Sequence, residues 1–494
     1  MQENYVLSYD VGTSEIKVVA VSLQGDVLGS FASGYETLFL GNNWVEQRPD
    51  AYWETVCSVT KQFLRVGKLP PKDCRGIIFC TQWTGIIPVD TGGRPLRNCM
   101  IWMDKRAESQ AAALNAHFGS GIFCDSDYWP KLMWLRENEP EIYEKSNMIL
   151  EINAWLKFRA AGTYTSDITD CFTLSPVADR QAFYKEILDF GQLDSRKFPP
   201  ICRSSDMVGR ITVAAALEIG LPAGTPVFGG CDDIAGLAIG VGCSKLGQTH
   251  AYLGTSGWLS HVIPAETRSV INAPLDEKND ICFLGLGASI GPSNTWLLRS
   301  LYPDRNGMTI NDLWAQVTEE IAEIHPGADR LLVTPWLYGG RPPLTSSLAR
   351  GVFLNLKESH RREHMVTAML EGICFMLRQN TDRLQTMYHP QLHSLAICGG
   401  GARNPRWMQA MADILKLQIK VPKSAHIAGA QGAAYCALAG LGELHDFREI
   451  ETNNSAGKVY DPNPDNFAEY DLLYHTFSSL YRTLEPYFRT LNTI

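Results

Sequence analysis

The chain has no basic block and no long acidic run, and its 494 residues carry a formal net charge of -9. That balance argues against a nucleic-acid groove, because phosphate backbones attract basic surfaces. No stretch reaches the ~18 uninterrupted apolar residues of a bilayer-spanning helix, and the most apolar region, 226–242, is broken by Asp232 and Asp233. The opening MQENYVLSYDVGTS lacks the basic flank and apolar core of an export signal. There is no CxxC pair among the 13 cysteines, whose odd number and scatter from Cys57 to Cys436 suit free, mostly buried thiols. No GxxxxGK[ST] occurs, which excludes a P-loop; GGGARN at 399–404 lacks the GxGxxG spacing and GLGASIG at 285–291 misses it by one residue. The expectation is a soluble cytoplasmic protein with neither nucleic-acid nor membrane partners.

What remains is an ordinary globular composition, 45% hydrophobic and 20% charged, in a chain long enough for two domains. YVLSYD and KVVAVSL flank a tight glycine turn and predict a hairpin over Tyr5 to Ser22. Helical spacing follows at Asp50 to Val66 and Met133 to Glu139, the latter stopped by Pro140. This alternation predicts mixed α/β architecture. KLGQTHAYLGTSGWLSHVI repeats the opening pattern, so Gly12-Thr13-Ser14 and Gly254-Thr255-Ser256 are candidate equivalents in two similar halves. With a hinge in Gly229 to Gly247, the halves are expected at 1–243 and 244–494. The second carries a long amphipathic helix over His360 to Met387, then LHSLAIC feeding GGGARNP and a helix over Pro405 to Leu415. Another helix is expected over Phe467 to Leu491.

Three glycine-rich elements carry chemistry. In Asp10-Val11-Gly12-Thr13-Ser14, an acid at a strand end precedes glycine and hydroxyls. Such a turn lets N–H groups approach phosphate oxygens while Asp10 holds Mg²⁺ through its waters and Lys17 adds positive charge; a plain hairpin turn with a capping aspartate is the alternative. In Gly229-Gly230-Cys231-Asp232-Asp233, two carboxylates interrupt an apolar run. Burying them is expensive without a task or a tight hydrogen-bond cage. A helix N-cap is the other reading, and Asp233 fits it better than Asp232. The third, Gly399-Gly400-Gly401-Ala402-Arg403-Asn404, ends a strand and enters a helix, an arrangement suited to a nucleotide or to a simple helix-entry turn. His360-Arg361-Arg362-Glu363-His364 also matches an inverted zinc-protease pattern, with both histidines on one helix face. The flanking arginines and the lack of a third ligand pattern favour a solvated helix start.

Taken in order, these elements resemble the FGGY carbohydrate kinases over nearly the whole chain. NWVEQRPDAYWETV resembles the family's early segment, and TQWTGIIPVDTGGRPLRNCMIWMDKRA its substrate segment, with Gln82, Trp102, Asp104 and Arg106 in register. PKLMWLRENEPEIY, GTSG, RPPLTSSLARGVFLNL, MLEGICFMLR and GGGARNPRWMQAMADIL follow in family order. The chain departs from xylulose kinases at Gln82-Trp83-Thr84-Gly85, where Gln-Met-His-Gly is usual, and at Asp233, where Asn is common. Gly340-Arg341 replaces a Gly-Glu-Arg, and Ile427 a glutamate.

The resemblance implies two actin-like (ribonuclease H-like) α/β domains with a cleft between them, a sugar-binding N-terminal half and a nucleotide-binding C-terminal half. It implies ATP and Mg²⁺ as cofactors and a small sugar as acceptor, D-xylulose first, then L-ribulose, another ketose or a polyol such as erythritol. Asp232 takes the part of general base. Asp10, Gly12, Thr13, Ser14, Lys17, Gly254 and Thr255 serve phosphate and Mg²⁺, with Asp10 nearest the metal. Gly399, Gly400, Gly401, Asn404, Ala428 and Gly429 line the adenosine, and Gln82, Trp83, Thr84, Trp102 and Asp233 face the sugar. A homodimer is left open. An actin-like ATPase without sugar transfer is the reading from a different class.

Overall fold

The computed structural model describes residues 4–41, 43–119, 123–170, 180–265, 267, 272–287, 289–340, 345–447 and 457–492; the expected departure at Arg341 lies outside them. The chain forms two compact units, one made of 1–248, 262–282 and 427–453, the other of 249–261, 283–426 and 454–494. A single cut between 243 and 244 therefore does not divide the fold, because later segments return to the first unit.

In the first unit the predicted hairpin is present, Tyr5–Val11 pairing antiparallel with Glu15–Ser22 and that strand with Val27–Gly34. Tyr5–Val11 also runs parallel to Cys74–Thr81, whose far side is taken by Pro226–Phe228 and Cys231–Asp232, both parallel to it. The helix Pro49–Gly67 starts on a proline, which suits a first turn with no N–H to satisfy, and carries Asp50 there against the positive helix end. Tyr52, Val56, Val59 and Phe63 recur at helical spacing and join the core beneath the sheet. A second, aromatic cluster gathers Phe123, Tyr128, Trp129, Trp134 and Phe183.

The helices Asp233–Gly240 and Ala428–Leu441 pack in this unit at backbone distance. A Cβ on Gly240 would collide with the Ala428 carbonyl, and one on Gly432 with the Gly236 carbonyl, so glycine is what permits the approach. This contact, invisible to local pattern, carries residues 427–453 into the first unit.

The second unit repeats the plan with strands in the order Gly257–Pro264, Thr249–Leu253, Ser394–Cys398, Gln418–Val421 and Lys458–Tyr460. Its hairpin is antiparallel, and Thr249–Leu253 runs parallel to Ser394–Cys398. The helices Arg362–Tyr388, Pro405–Leu415 and Phe467–Asn492 stand close to their predicted limits. Because the first of these begins at Arg362, His360 precedes it, with its ring 5.4 Å from that of His364. Each histidine instead accepts a backbone N–H at Nδ1, from Lys357 at 3.0 Å and from Arg361 at 3.2 Å. Both are buried and His364 takes part in the helix cap, so the start is not a solvated one. Among the described residues no group of three or more His, Cys, Asp or Glu is placed to hold a metal, and no helix is long and apolar enough to cross a membrane.

Candidate active site

Three parallel strands of the first unit end side by side, and the register places Val11 opposite Thr81 and Thr81 opposite Asp232. Open α/β sheets bind ligands beyond such carboxyl ends. Asp10 and Asp232 thus stand at one sheet edge with a single strand between them.

Asp232 is 1% exposed. It is the residue that caps the helix Asp233–Gly240: its Oδ1 accepts the Ala235 N–H at 2.7 Å, a bond worth ~1 kcal/mol in a typical helix. The cap thus falls to Asp232 and not to Asp233, which is the first helical residue. Its other oxygen, Oδ2, has no hydrogen-bond partner among the described residues. Leaving a buried carboxylate oxygen unpaired is costly and needs a reason. Burial, and next the charge of Asp233, push the Asp232 carboxyl well above the usual range, although the Ala235 N–H opposes them.

The backbone leading to Asp232 is clamped by residues that local pattern did not reveal. The Asp232 N–H donates to Thr169 Oγ1 at 2.8 Å, and Asp167 Oδ1 accepts the Thr169 N–H at 2.9 Å. Lys157, fully buried, donates to the Gly229 carbonyl at 2.7 Å. Gly230 has φ +86° and lies so close to Asn153 that any Cβ would collide with it. The one legible signal was a lysine set among apolar residues in AWLKF.

Asp10 faces Lys17 across the hairpin, 3.8 Å apart, and Lys17 reaches Glu15 at 3.1 Å. Burial raises the Asp10 carboxyl against the pull of Lys17. Asp233 is raised to about 7, by burial first and by Asp10 next. Gly429, expected beside adenosine, lies next to Asp10: a Cβ there would sit 3.6 Å from Oδ2. The set suits Mg²⁺ held by one or two carboxylates together with phosphates and water, rather than a cage built wholly of protein.

The turn and the substrate segment are joined. Trp102 Nε1 donates to Thr13 Oγ1 at 2.8 Å, and Thr13 Oγ1 donates to Gln82 Oε1 at 3.3 Å. Gln47, read only as part of the early segment, donates to the Thr13 carbonyl at 2.6 Å and accepts from Gln82 Nε2 at 2.8 Å. The polar groups of Gln82 and Trp102 are therefore engaged in holding the turn. Trp83 is half-buried against the aromatic cluster. Thr84 has φ +60°, a left-handed conformation that costs a side-chain-bearing residue ~1–2 kcal/mol. Asp104, fully buried, accepts from Arg106 and from the Val45 N–H and belongs to the framework.

In the second unit, Gly254 closes its turn onto the Ser256 carbonyl at 2.9 Å, and the Thr255 carbonyl accepts the Gly291 N–H at 3.2 Å. Gly399 has φ +90°, and a Cβ would collide with the Leu253 carbonyl, whereas Gly400 opens on empty space. Asn404 caps the helix Pro405–Leu415: Oδ1 accepts from Trp407 N at 3.0 Å and Nδ2 donates to Thr318 Oγ1 at 3.0 Å. The Gly254 and Gly399 N–H groups are engaged within these loops, the latter donating to the Ala425 carbonyl at 3.1 Å.

Models of the N-terminal and C-terminal domains of the FGGY family of carbohydrate kinases match residues 5–240 and 252–441 in turn. This chain belongs to that family. It is 27% identical to a xylulose kinase of Bacillus subtilis, over 99% of this chain and 98% of that one. A gluconokinase of the same organism is 26% identical over 98% and 96%. The crystal structure of ligand-bound xylulose kinase from Lactobacillus acidophilus superposes with a TM-score of 0.87 at 22% identity, covering 99% of this chain and 100% of that one. As an FGGY carbohydrate kinase the protein is an enzyme that phosphorylates a sugar with ATP, and its fold is the two-domain α/β fold of such kinases.

Proposed function

We propose that this FGGY kinase transfers the γ-phosphoryl group of ATP to a terminal hydroxyl of a pentulose, D-xylulose first, with Mg²⁺ as cofactor and Asp232 as general base. The observation that carries the base assignment is Asp232 Oδ2, buried and unpartnered at the end of a strand. Its raised pKa makes it a better proton acceptor than an exposed carboxylate. The sugar O–H gives its proton to Oδ2, the oxygen bonds to the γ-phosphorus, and the bond to the β–γ bridging oxygen breaks to leave ADP. Because the transferring group is loosely bonded at the transition state, positioning and charge neutralisation do most of the work. Mg²⁺ would neutralise phosphate charge, held through water by Asp10.

Gly12, Thr13, Ser14 and Lys17 serve the phosphates, joined by Gly254 and Thr255. Gly399, Gly400, Gly401 and Asn404 serve the adenosine. The place of Gly429 beside Asp10 moves Ala428 and Gly429 to the phosphate side in this reading. Trp83, Thr84 and Asp233 face the sugar, with Gln82 and Trp102 holding the turn behind them. The first unit carries the sugar side and the second the nucleotide side, and the enzyme works in the cytoplasm.

The pentulose choice rests on the xylulose kinase names among relatives that span the whole chain. The gluconokinase names favour an aldonate as second reading. A coupled assay of ADP release over pentuloses, hexuloses, polyols and gluconate tests the choice. The highest kcat/KM is expected with D-xylulose. A higher value with gluconate overturns the pentulose, and no sugar-stimulated release at all overturns the kinase mechanism.

A further inference from the structure

The motif PKLMWLRENEPEIY takes no part in the mechanism above, yet it holds a lysine that the fold buries completely. Lys131 lies on the helix Tyr128–Asn138 at 0% exposure. Its Nζ donates to the Thr84 carbonyl at 2.5 Å and the Ile101 carbonyl at 3.0 Å. The Met100 carbonyl and Thr84 Oγ1 lie at 3.3 and 3.4 Å. These acceptors come from two separate segments, one ending in Trp83–Thr84 and the other running directly into Trp102. Thr84 is a β-branched residue at φ +60°, a conformation that persists only where its surroundings over-determine it. Here the ammonium holds the carbonyl of that same residue. An ion placed in the interior is retained only when its donors are well satisfied, so the lysine needs these carbonyls as much as they need it.

We infer that Lys131 is a positioning residue for sugar recognition: it pins Thr84 in its left-handed conformation and ties that loop to the segment of Trp102, which fixes how Trp83 and Thr84 meet the acceptor. The acceptors it holds belong to residues 84, 100 and 101, outside Gly12–Ser14 and Asp232, so its effect is expected on sugar binding. The inference rests on the proposed sugar-facing role of residues 83 and 84, but not on which sugar is the acceptor.

The test uses the full-length enzyme and whichever carbohydrate gives the strongest ADP release. Lys131→Met is expected to raise the sugar KM roughly tenfold or more, with kcat and the KM for ATP within about threefold. Lys131→Gln, which keeps one donor, is expected to fall between. In a Thr84→Asn background, where the left-handed conformation costs less, the Lys131→Met penalty on sugar KM should shrink at least about threefold. An unchanged sugar KM, an equal rise in the KM for ATP, or an undiminished penalty in the Thr84→Asn background overturns the inference. Failure of both lysine variants to fold also overturns it, leaving Lys131 a folding residue. An active Asp232→Asn enzyme would remove the base assignment while leaving this test intact.

Discussion

The turn Gly12–Ser14 in the first unit and the turn Gly254–Ser256 in the second close hairpins of the same plan. In each, the first strand runs parallel to a neighbour that sets a cysteine beside the key position, Cys80 at Asp10 and Cys398 at Tyr252. They differ in what crosses the hairpin. In the first, Asp10 pairs with Lys17; in the second, Tyr252 pairs with Trp258, their rings 4.2 Å apart. The turns differ as well, the first closing from Gly12 N to the Glu15 carbonyl and the second from Gly254 N to that of Ser256. A repeated backbone therefore carries charge on one side only. The first hairpin sets a carboxylate and a lysine across its turn and the second two aromatic rings, while the buried carboxylates of the second unit, Glu371 and Asp413, lie away from its hairpin. The proposed base and metal ligand both come from the first unit, whatever the likeness of the turns.

The hardest test of that asymmetry is Asp232→Asn, expected to lower kcat by roughly 10²-fold or more while leaving the KM for ATP little changed; turnover close to that of the parent enzyme would remove Asp232 from the base role. Next comes a matched pair across the two hairpins. Asp10→Asn should reduce kcat by about tenfold or more and shift the Mg²⁺ dependence to higher concentration. Tyr252→Phe should stay within about twofold. Equal losses would break the comparison. Gly399→Ala probes the other side: strain at φ +90° and the collision with the Leu253 carbonyl should raise the KM for ATP about fivefold, with the sugar KM unmoved. An effect on the sugar instead would place that loop with the acceptor.

The smallest effect is on stability. Asp233 titrates at about 7 in the fold, against 3.8 for an ordinary aspartate. A raised carboxyl binds more protons folded than unfolded, so its stabilisation is full below pH 3.8 and is lost as pH climbs to about 7. Asp233→Asn, with no proton to lose, should melt a few degrees above the parent chain at pH 8, the gap closing toward pH 4. A gap that does not depend on pH would mean that the carboxyl is not held near neutrality. Thermal melts across that range, without nucleotide, decide it.

Much of this architecture could be read residue by residue. Both hairpins announced themselves through β-rich runs around Gly-Thr-Ser, and the helices Pro49–Gly67 and Pro405–Leu415 through proline at the start and apolar spacing after it. Those signals are local, so the chain carries them in the open. The division of roles between Asp232 and Asp233 was not legible, because either residue could cap a helix beginning at that point. Nor was the internal engagement of Gln82 and Trp102, whose partners Thr13 and Gln47 lie 35 or more residues away.

By itself, then, the order of residues determined the family, the hairpins, the limits of several helices and the candidate acids, since periodicity, turn chemistry and motif order are properties of neighbouring positions. Tertiary structure alone decided that Gly429 stands beside Asp10, that Lys131 and Lys157 are buried behind the loops they hold, and that one oxygen of Asp232 has no partner among the described residues. Each of these depends on which distant backbones approach closely enough to exclude water, and that is set by packing rather than by any local pattern.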